Sequence, residues 1–399
     1  MSSVATVRGL IYVAMAVFLV TVGIGIVNGL DLYEFDRNQL LTHVHTGTLG
    51  WITLSLVALA AWAAGGIDRR LAMLLGAIVP FYALGFLVAP AIRSVLGAVL
   101  LIAILWLVVW AWSRYGAMRT LPSLAVALGF TTFAYGAIIG IAIQVQLAGG
   151  PALFTASSDI VGAHASAMVF GYLVLVATGL LEWRVLGTTR LTRGGLVQVA
   201  AFFAAGAVLS LALLFLPADA VQPVGGLNLL LNLIAVVLFA VRVLPRALRT
   251  DWTSGAARHL AASALFVLVA MALFLYLIFR VISDPTLAGD FGPLTGVLVA
   301  SDHASFIGVV TNLVVGSVLA LTASRGASGW MGQVAFWGTN LGLVVFLAGL
   351  VSDASILKQI GAPVMGISLL VALAMLALRL RATDVGAVAA GTSLEGASA

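Results

Sequence analysis

Residues 41–64 read LTHVHTGTLGWITLSLVALAAWAA, a run without a single Asp, Glu, Lys or Arg that nevertheless carries two of the chain's five histidines. About 20 consecutive apolar residues span a bilayer as a helix, so the stretch reads as a transmembrane helix with polar nitrogen near one end. Working outward from it, runs of the same kind fall at about 9–30, 71–91, 95–113, 121–147, 160–182, 196–217, 225–244, 259–281, 303–323, 330–351 and 356–379, twelve in all. Each is roughly twice the 9–11 residues of a tilted membrane strand, and the alternation of barrel strands is missing, so the spans are helices. With 62% hydrophobic and 8% charged residues over 399 positions and a mean hydropathy of +1.18, the chain lacks the material for a water-soluble surface. Its expected solvent is a lipid bilayer, and its expected class is an all-α integral membrane protein.

The sequence pI near 10 does not point to nucleic acid, because the cations are scattered singly or in small groups between the apolar runs and form no patch. They report topology instead. The N-terminus, the even-numbered loops and the C-terminus hold 15 of the 19 cations, and the odd-numbered loops keep Arg37, Arg93, Arg280 and Lys358. By the positive-inside rule both termini are expected in the cytoplasm, in an inner membrane crossed many times, with the second, sixth and tenth helices running inward. The apolar run after Arg8 is too long for a leader and has no small-residue cleavage site, so it reads as the first helix.

Charged inner loops divide residues 1–381, a single membrane domain, into units 1–119, 120–251 and 252–381 of four helices each, with a Gly/Ser/Ala-rich tail at 382–399 expected to be disordered. The second helix of each unit carries a histidine followed by small residues: His45-Thr-Gly, His164-Ala-Ser and His303-Ala-Ser. Spacings of 119 and 139 residues match one unit, which makes the pattern an internal threefold.

Ionisable groups inside a membrane cost about 2.5–3.5 kcal/mol or more, so those retained are functional candidates; a neutral imidazole is the cheapest of them. His43, His45, His164 and His303 share one expected depth near the outer ends of their helices, whereas His259, beside Arg258, is expected at the cytoplasmic headgroups. Two helical residues rotate a side chain by about 200°, so His43 and His45 leave opposite faces and cannot share one metal. Each could serve its own site, with His164 and His303 as partners. Small residues at Thr46, Gly47, Ala165, Ser166, Ala304 and Ser305 would let a flat macrocycle approach the helices. Asp159, Ser301 and Asp302 precede two of these histidines and read first as helix caps, second as groups orienting an imidazole. Asn228, Asn232, Gln144, Asn312 and Asn340 read as interhelical hydrogen-bonding groups. The absence of cysteine excludes disulfides, Cys-ligated clusters and covalent haem, leaving His as the main ligand for haem iron or copper.

The run His43-Val-His-Thr-Gly-Thr-Leu-Gly-Trp51 resembles the haem-copper oxidase superfamily, subunit I, most closely its C-type oxidase and nitric oxide reductase branch. There a similar H-x-H stretch gives one histidine to each of two haems, within twelve helices arranged as three pseudo-symmetric arcs of four. The resemblance implies one or two non-covalent haem b groups, possible copper, and a redox partner or partner subunit. Two departures stand against it. The family's distal metal draws histidines from the seventh helix, and here the run 196–217 has none; the H-x-H also sits on the second helix where the family has it on the tenth.

Three functions follow as expectations. The first is a membrane haem protein that transfers electrons or binds a diatomic gas (O2 or NO), an oxidoreductase only if a distal metal is present. The second is a twelve-helix transporter, handling a metal ion or haem at a site made by His45, His164 and His303 together. The third is a non-catalytic assembly or structural subunit.

Overall fold

The computed structural model describes residues 3–154, 159–187, 190–253, 255–284, 286–289, 292–323 and 329–381, with the side chains of 3, 218–222 and 288–289 left aside. The expected tail at 382–399 lies outside the described residues. Among those described, twelve helices are long and apolar enough to cross a membrane: α1 (Val4–Gly29), α2 (Arg37–Ala63), α3 (Arg69–Leu87), α4 (Pro90–Met118), α5 (Leu121–Leu147), α6 (Ile160–Leu186), α7 (Arg193–Phe215), α8 (Pro223–Ala247), α9 (Gly255–Ser283), α10 (Gly292–Leu321), α11 (Gly329–Val351) and α12 (Ser355–Arg381).

Local chemistry sets several starts. Asp36 accepts the backbone N–H of Gln39 at 2.8 Å while Gln39 Oε1 accepts that of Asp36 at 2.9 Å, a reciprocal cap that begins α2 four residues before its apolar run. Pro90 opens α4, where the missing N–H of proline costs nothing. That helix outruns its apolar core of 95–113 at both ends, and the ends carry Arg93, which is buried, and Arg114.

Three helices form the centre. Over their membrane-length windows α2, α6 and α10 are 83%, 67% and 83% buried, against 33–61% for the others. They touch one another pairwise, and the remaining nine surround them: α12 packs on α1, α1 on α3, α3 on α4, α4 on α5, α5 on α7, α7 on α8, α8 on α9, and α11 on α12. Arg258 of α9 closes the ring by donating to Gln333 Oε1 at 2.8 Å and to the Gly332 carbonyl at 2.7 Å on α11.

The three central helices share a rarer feature. Each changes from α to π winding for eight residues, at Thr46–Thr53, Ala167–Val174 and Ala304–Thr311, and then returns to α. A π segment is usually a single turn and concentrates at functional sites. Its widened turn leaves carbonyls to be taken by side chains: Thr53 Oγ1 reaches the Thr48 carbonyl and Thr311 Oγ1 that of Phe306, both five residues back, at 2.9 Å. Between the helices Trp51 Nε1 donates to Thr311 Oγ1 at 2.9 Å, and Tyr172 stands against Thr53. The α2–α10 contact thus has its counterpart between α6 and α2.

Candidate functional site

All four histidines expected to be ligands hold a backbone carbonyl with Nδ1. His43 bonds to Thr21 of α1 at 2.9 Å, His45 to Leu41 at 2.7 Å, His164 to Gly136 of α5 at 2.8 Å and His303 to Val299 at 2.8 Å. A carbonyl accepts only, so the proton sits on Nδ1 and the Nε2 lone pair is left over. Among the described residues none of these Nε2 atoms has a hydrogen-bond partner within the protein. An imidazole anchored through Nδ1–H to a carbonyl, with Nε2 free, is the arrangement in which histidine binds a metal.

The four rings line a single cavity of about 770 Å³, within the range of about 300–1,000 Å³ common for cofactor and small-molecule sites. His164 lies within electrostatic range of His45, and His303 within that of His43. Aromatic rings hold two of the imidazoles: Phe86 stacks on His45 at 3.7 Å between centroids and Phe346 meets His303 edge-on at 5.0 Å.

The repeat has a different register from the one the sequence suggests. The π segments start three residues after His43, His164 and Ser301, so His164 corresponds to His43, and His45 corresponds to Ser166 and His303. Hydrogen bonds agree with this register. His43 donates to Thr21 on α1, His164 to Gly136 on α5, and Ser301 Oγ to Ala270 on α9 at 3.1 Å, each the first helix of its unit. The residue one turn further along those helices then decides what fits. It is Gly25 in the first unit and Gly140 in the second, where a Cβ would come within 3.2 Å of His43 and 2.8 Å of His164. In the third unit it is Phe274, stacked on Phe170 at 3.5 Å. The third position of the threefold therefore has serines where the others have imidazoles, and its space is filled by phenyl rings.

Other expectations fare unevenly. Asp159 caps α6, its Oδ1 accepting the Gly162 N–H at 2.8 Å. Ser301 and Asp302 do not cap, because α10 begins well before them; Asp302 lines the cavity with Oδ1 buried and without a partner among the described residues. Neither aspartate bonds an imidazole. Gly47 and Ala165 line the cavity as a flat ligand would require, while Thr46, Ser166, Ala304 and Ser305 do not. His259 is buried within the bundle and is not solvated. It is 1% exposed, with Nδ1 2.9 Å from Asn312 Oδ1, because Arg258 turns inward to α11 and takes its neighbour with it. Asn312 and Asn340 bond across α10 and α11 at 2.8 Å, and Asn228 reaches the Ala205 carbonyl of α7 at 2.7 Å, as interhelical groups do. Among the described residues no three His, Asp or Glu side chains gather to hold one metal ion, so His45, His164 and His303 form no triad.

Sequence reasoning missed the residues that seat the imidazoles. Gly136 and Gly140 on α5 are a pair of small residues four apart, a spacing that already signals close approach in membrane helices. No known protein family matches the chain, and no curated protein matches it.

Proposed function

We propose that the chain is a membrane electron-transfer protein that binds two haems non-covalently, one between His45 and His164 and one between His43 and His303, on the two sides of α2. The observation that carries this reading is the shared state of the four imidazoles: each has Nδ1 committed to a carbonyl and Nε2 free at one large cavity, with His164 in electrostatic range of His45 and His303 in that of His43. Bis-imidazole coordination supplies a six-coordinate iron that exchanges single electrons and keeps no open position for a gas. Iron in such a site needs only two nitrogens, which a triad-free arrangement provides. The protein's own part is to hold each ring at a fixed tautomer and orientation and to keep the cavity apolar. With the cations concentrated in the even-numbered loops, the sites belong to the outer half of an inner membrane, within reach of a redox partner on that side.

The experiment is an optical spectrum with iron, copper and haem determination on the full-length protein purified in detergent. Two low-spin haems per chain, with sharp α-bands on reduction, are expected. Colourless protein carrying copper or zinc would turn the reading to metal handling, and colourless protein with neither would leave a structural subunit.

A further inference from the structure

The two sides of α2 are unlike in charge. On the His45–His164 side, Arg93 enters from α4 and lies with its guanidinium 4.9 Å from the centroid of Phe86, the ring stacked on His45. Arg93 is 3% exposed, and its Nε and Nη1 have no hydrogen-bond partner among the described residues. Among the described residues the charged and titratable groups that interact with it are Tyr82, Arg37 and His45, none of them an acid of the Asp or Glu kind. Arginine keeps its proton in proteins, so the charge is permanent. The cavity itself is lined by Asp302, Asp31 and Lys358, the last paired with Asp353 at 2.9 Å, and among the described residues no Arg or Lys is among the groups that act on His43 or His303. Asp302 adds no positive charge in either protonation state, so the His43–His303 side has no cationic excess.

A buried positive charge favours the form of a nearby cofactor that has gained an electron, and low local polarity magnifies the effect. We propose that Arg93 sets the order in which the two sites accept electrons: the His45–His164 side would be the easier to reduce. This inference rests on the two-haem reading.

The test is a spectropotentiometric titration of haem absorbance in the full-length protein and in Arg93→Gln, Arg93→Lys and His164→Ala. Wild type is expected to give two reduction waves, of which His164→Ala removes the higher. Arg93→Gln is expected to lower that wave by at least a tenfold change in electron sharing, about 59 mV for a one-electron couple, while leaving the lower wave in place. Arg93→Lys keeps the charge and is expected to keep the wave. If Arg93→Gln does not accumulate, wild type and His164→Ala still decide the order. Loss of the lower wave in His164→Ala, or an unmoved or equally displaced pair of waves in Arg93→Gln, overturns the inference and leaves the haem reading standing. Colourless wild-type protein overturns both.

Discussion

The Nδ1 of His164 lies 2.8 Å from the carbonyl oxygen of Gly136, a bond that spans from α6 to α5 and fixes which nitrogen of the ring faces the cavity. One turn further along α5, Gly140 gives that ring its space. A methyl at Gly140 would stand 2.8 Å from Cε1, closer than real Cβ contacts come, and 3.1 Å from Nδ1. Gly140→Ala is therefore expected to tilt the imidazole and to weaken the His45–His164 site by the 10–100-fold typical of disturbed ligand support. Gly25→Ala, at 3.2 Å from His43, is expected to act more mildly on the other site. Haem titration of both variants reads this directly, and equal affinity in wild type and Gly140→Ala would show that the cavity does not depend on the seat.

Pairing predicts which variants look alike. His45→Ala and His164→Ala are expected to lose the same one of two low-spin spectra, and His43→Ala and His303→Ala the other. Each pair contains one ring bonded to its own helix and one bonded to a neighbouring helix, so similar loss cannot be put down to similar anchoring. Low-temperature optical and electron paramagnetic resonance spectra distinguish the two sites. A result in which His45→Ala matches His303→Ala would exchange the partners.

Phe274 separates packing from ligand binding. It is 3% exposed and stacked on Phe170 in the position that Gly25 and Gly140 hold in the other units. Phe274→Ala opens a void in the core, and such truncations cost about 3–5 kcal/mol. The expected outcome is a markedly lower thermal transition in detergent with two haems still bound. Loss of a haem in this variant, at a temperature where the protein remains folded, would mean that the third position also holds a ligand.

The twelve spans were legible because hydrocarbon imposes one rule on every residue of a helix, and a window of apolar residues satisfies it visibly. That His43, His45, His164 and His303 stand at one cavity was foreshadowed for the complementary reason, that a costly group in lipid stands out. Depth and face were harder. His259 sits next to a cation in the sequence, and only the inward turn of Arg258 toward Gln333 shows that it is buried. The repeat register was hidden because matching His to His ignores the backbone, whereas the π segments and the carbonyls of Thr21, Gly136 and Ala270 align His164 with His43 and put Ser301 in their company. Asp302 read as a cap since it precedes a histidine, but a helix that starts earlier leaves it inside, beside the cavity.

Topology has its own test, since the chain contains no cysteine and single cysteines can be placed at will. The 15-to-4 division of cations predicts that a cysteine at residue 3 is labelled only from the cytoplasm and one at residue 34 only from outside. The α1–α2 connection holds Asp31, Glu34 and Asp36, and its exposed side chains make residue 34 reachable by a membrane-impermeant reagent. Labelling of residue 3 from outside would invert the bundle and place both sites in the inner half.

The remaining prediction concerns oxygen. Reduction of dioxygen to water draws four electrons, and enzymes that accomplish it commonly place a second metal beside a haem that keeps one position open. The donor set here runs the other way. On the two-haem reading each of the four cavity imidazoles is already a ligand, the helix α7 has no histidine to add, and among the described residues no three His, Asp or Glu side chains gather. Asp302 also lines the cavity, and a single carboxylate would hold copper poorly without imidazoles to share it. The purified protein is therefore expected to accept electrons from an artificial donor, to stay low-spin when reduced, and to consume oxygen no faster than slow autoxidation allows. Carbon monoxide is expected to leave the reduced spectrum unchanged in wild type and to bind in His164→Ala, where one axial position is vacated. Rapid cyanide-sensitive oxygen uptake, together with carbon monoxide binding to the wild type, would show that one of the two pairs opens in the native protein and that a gas-reactive site exists.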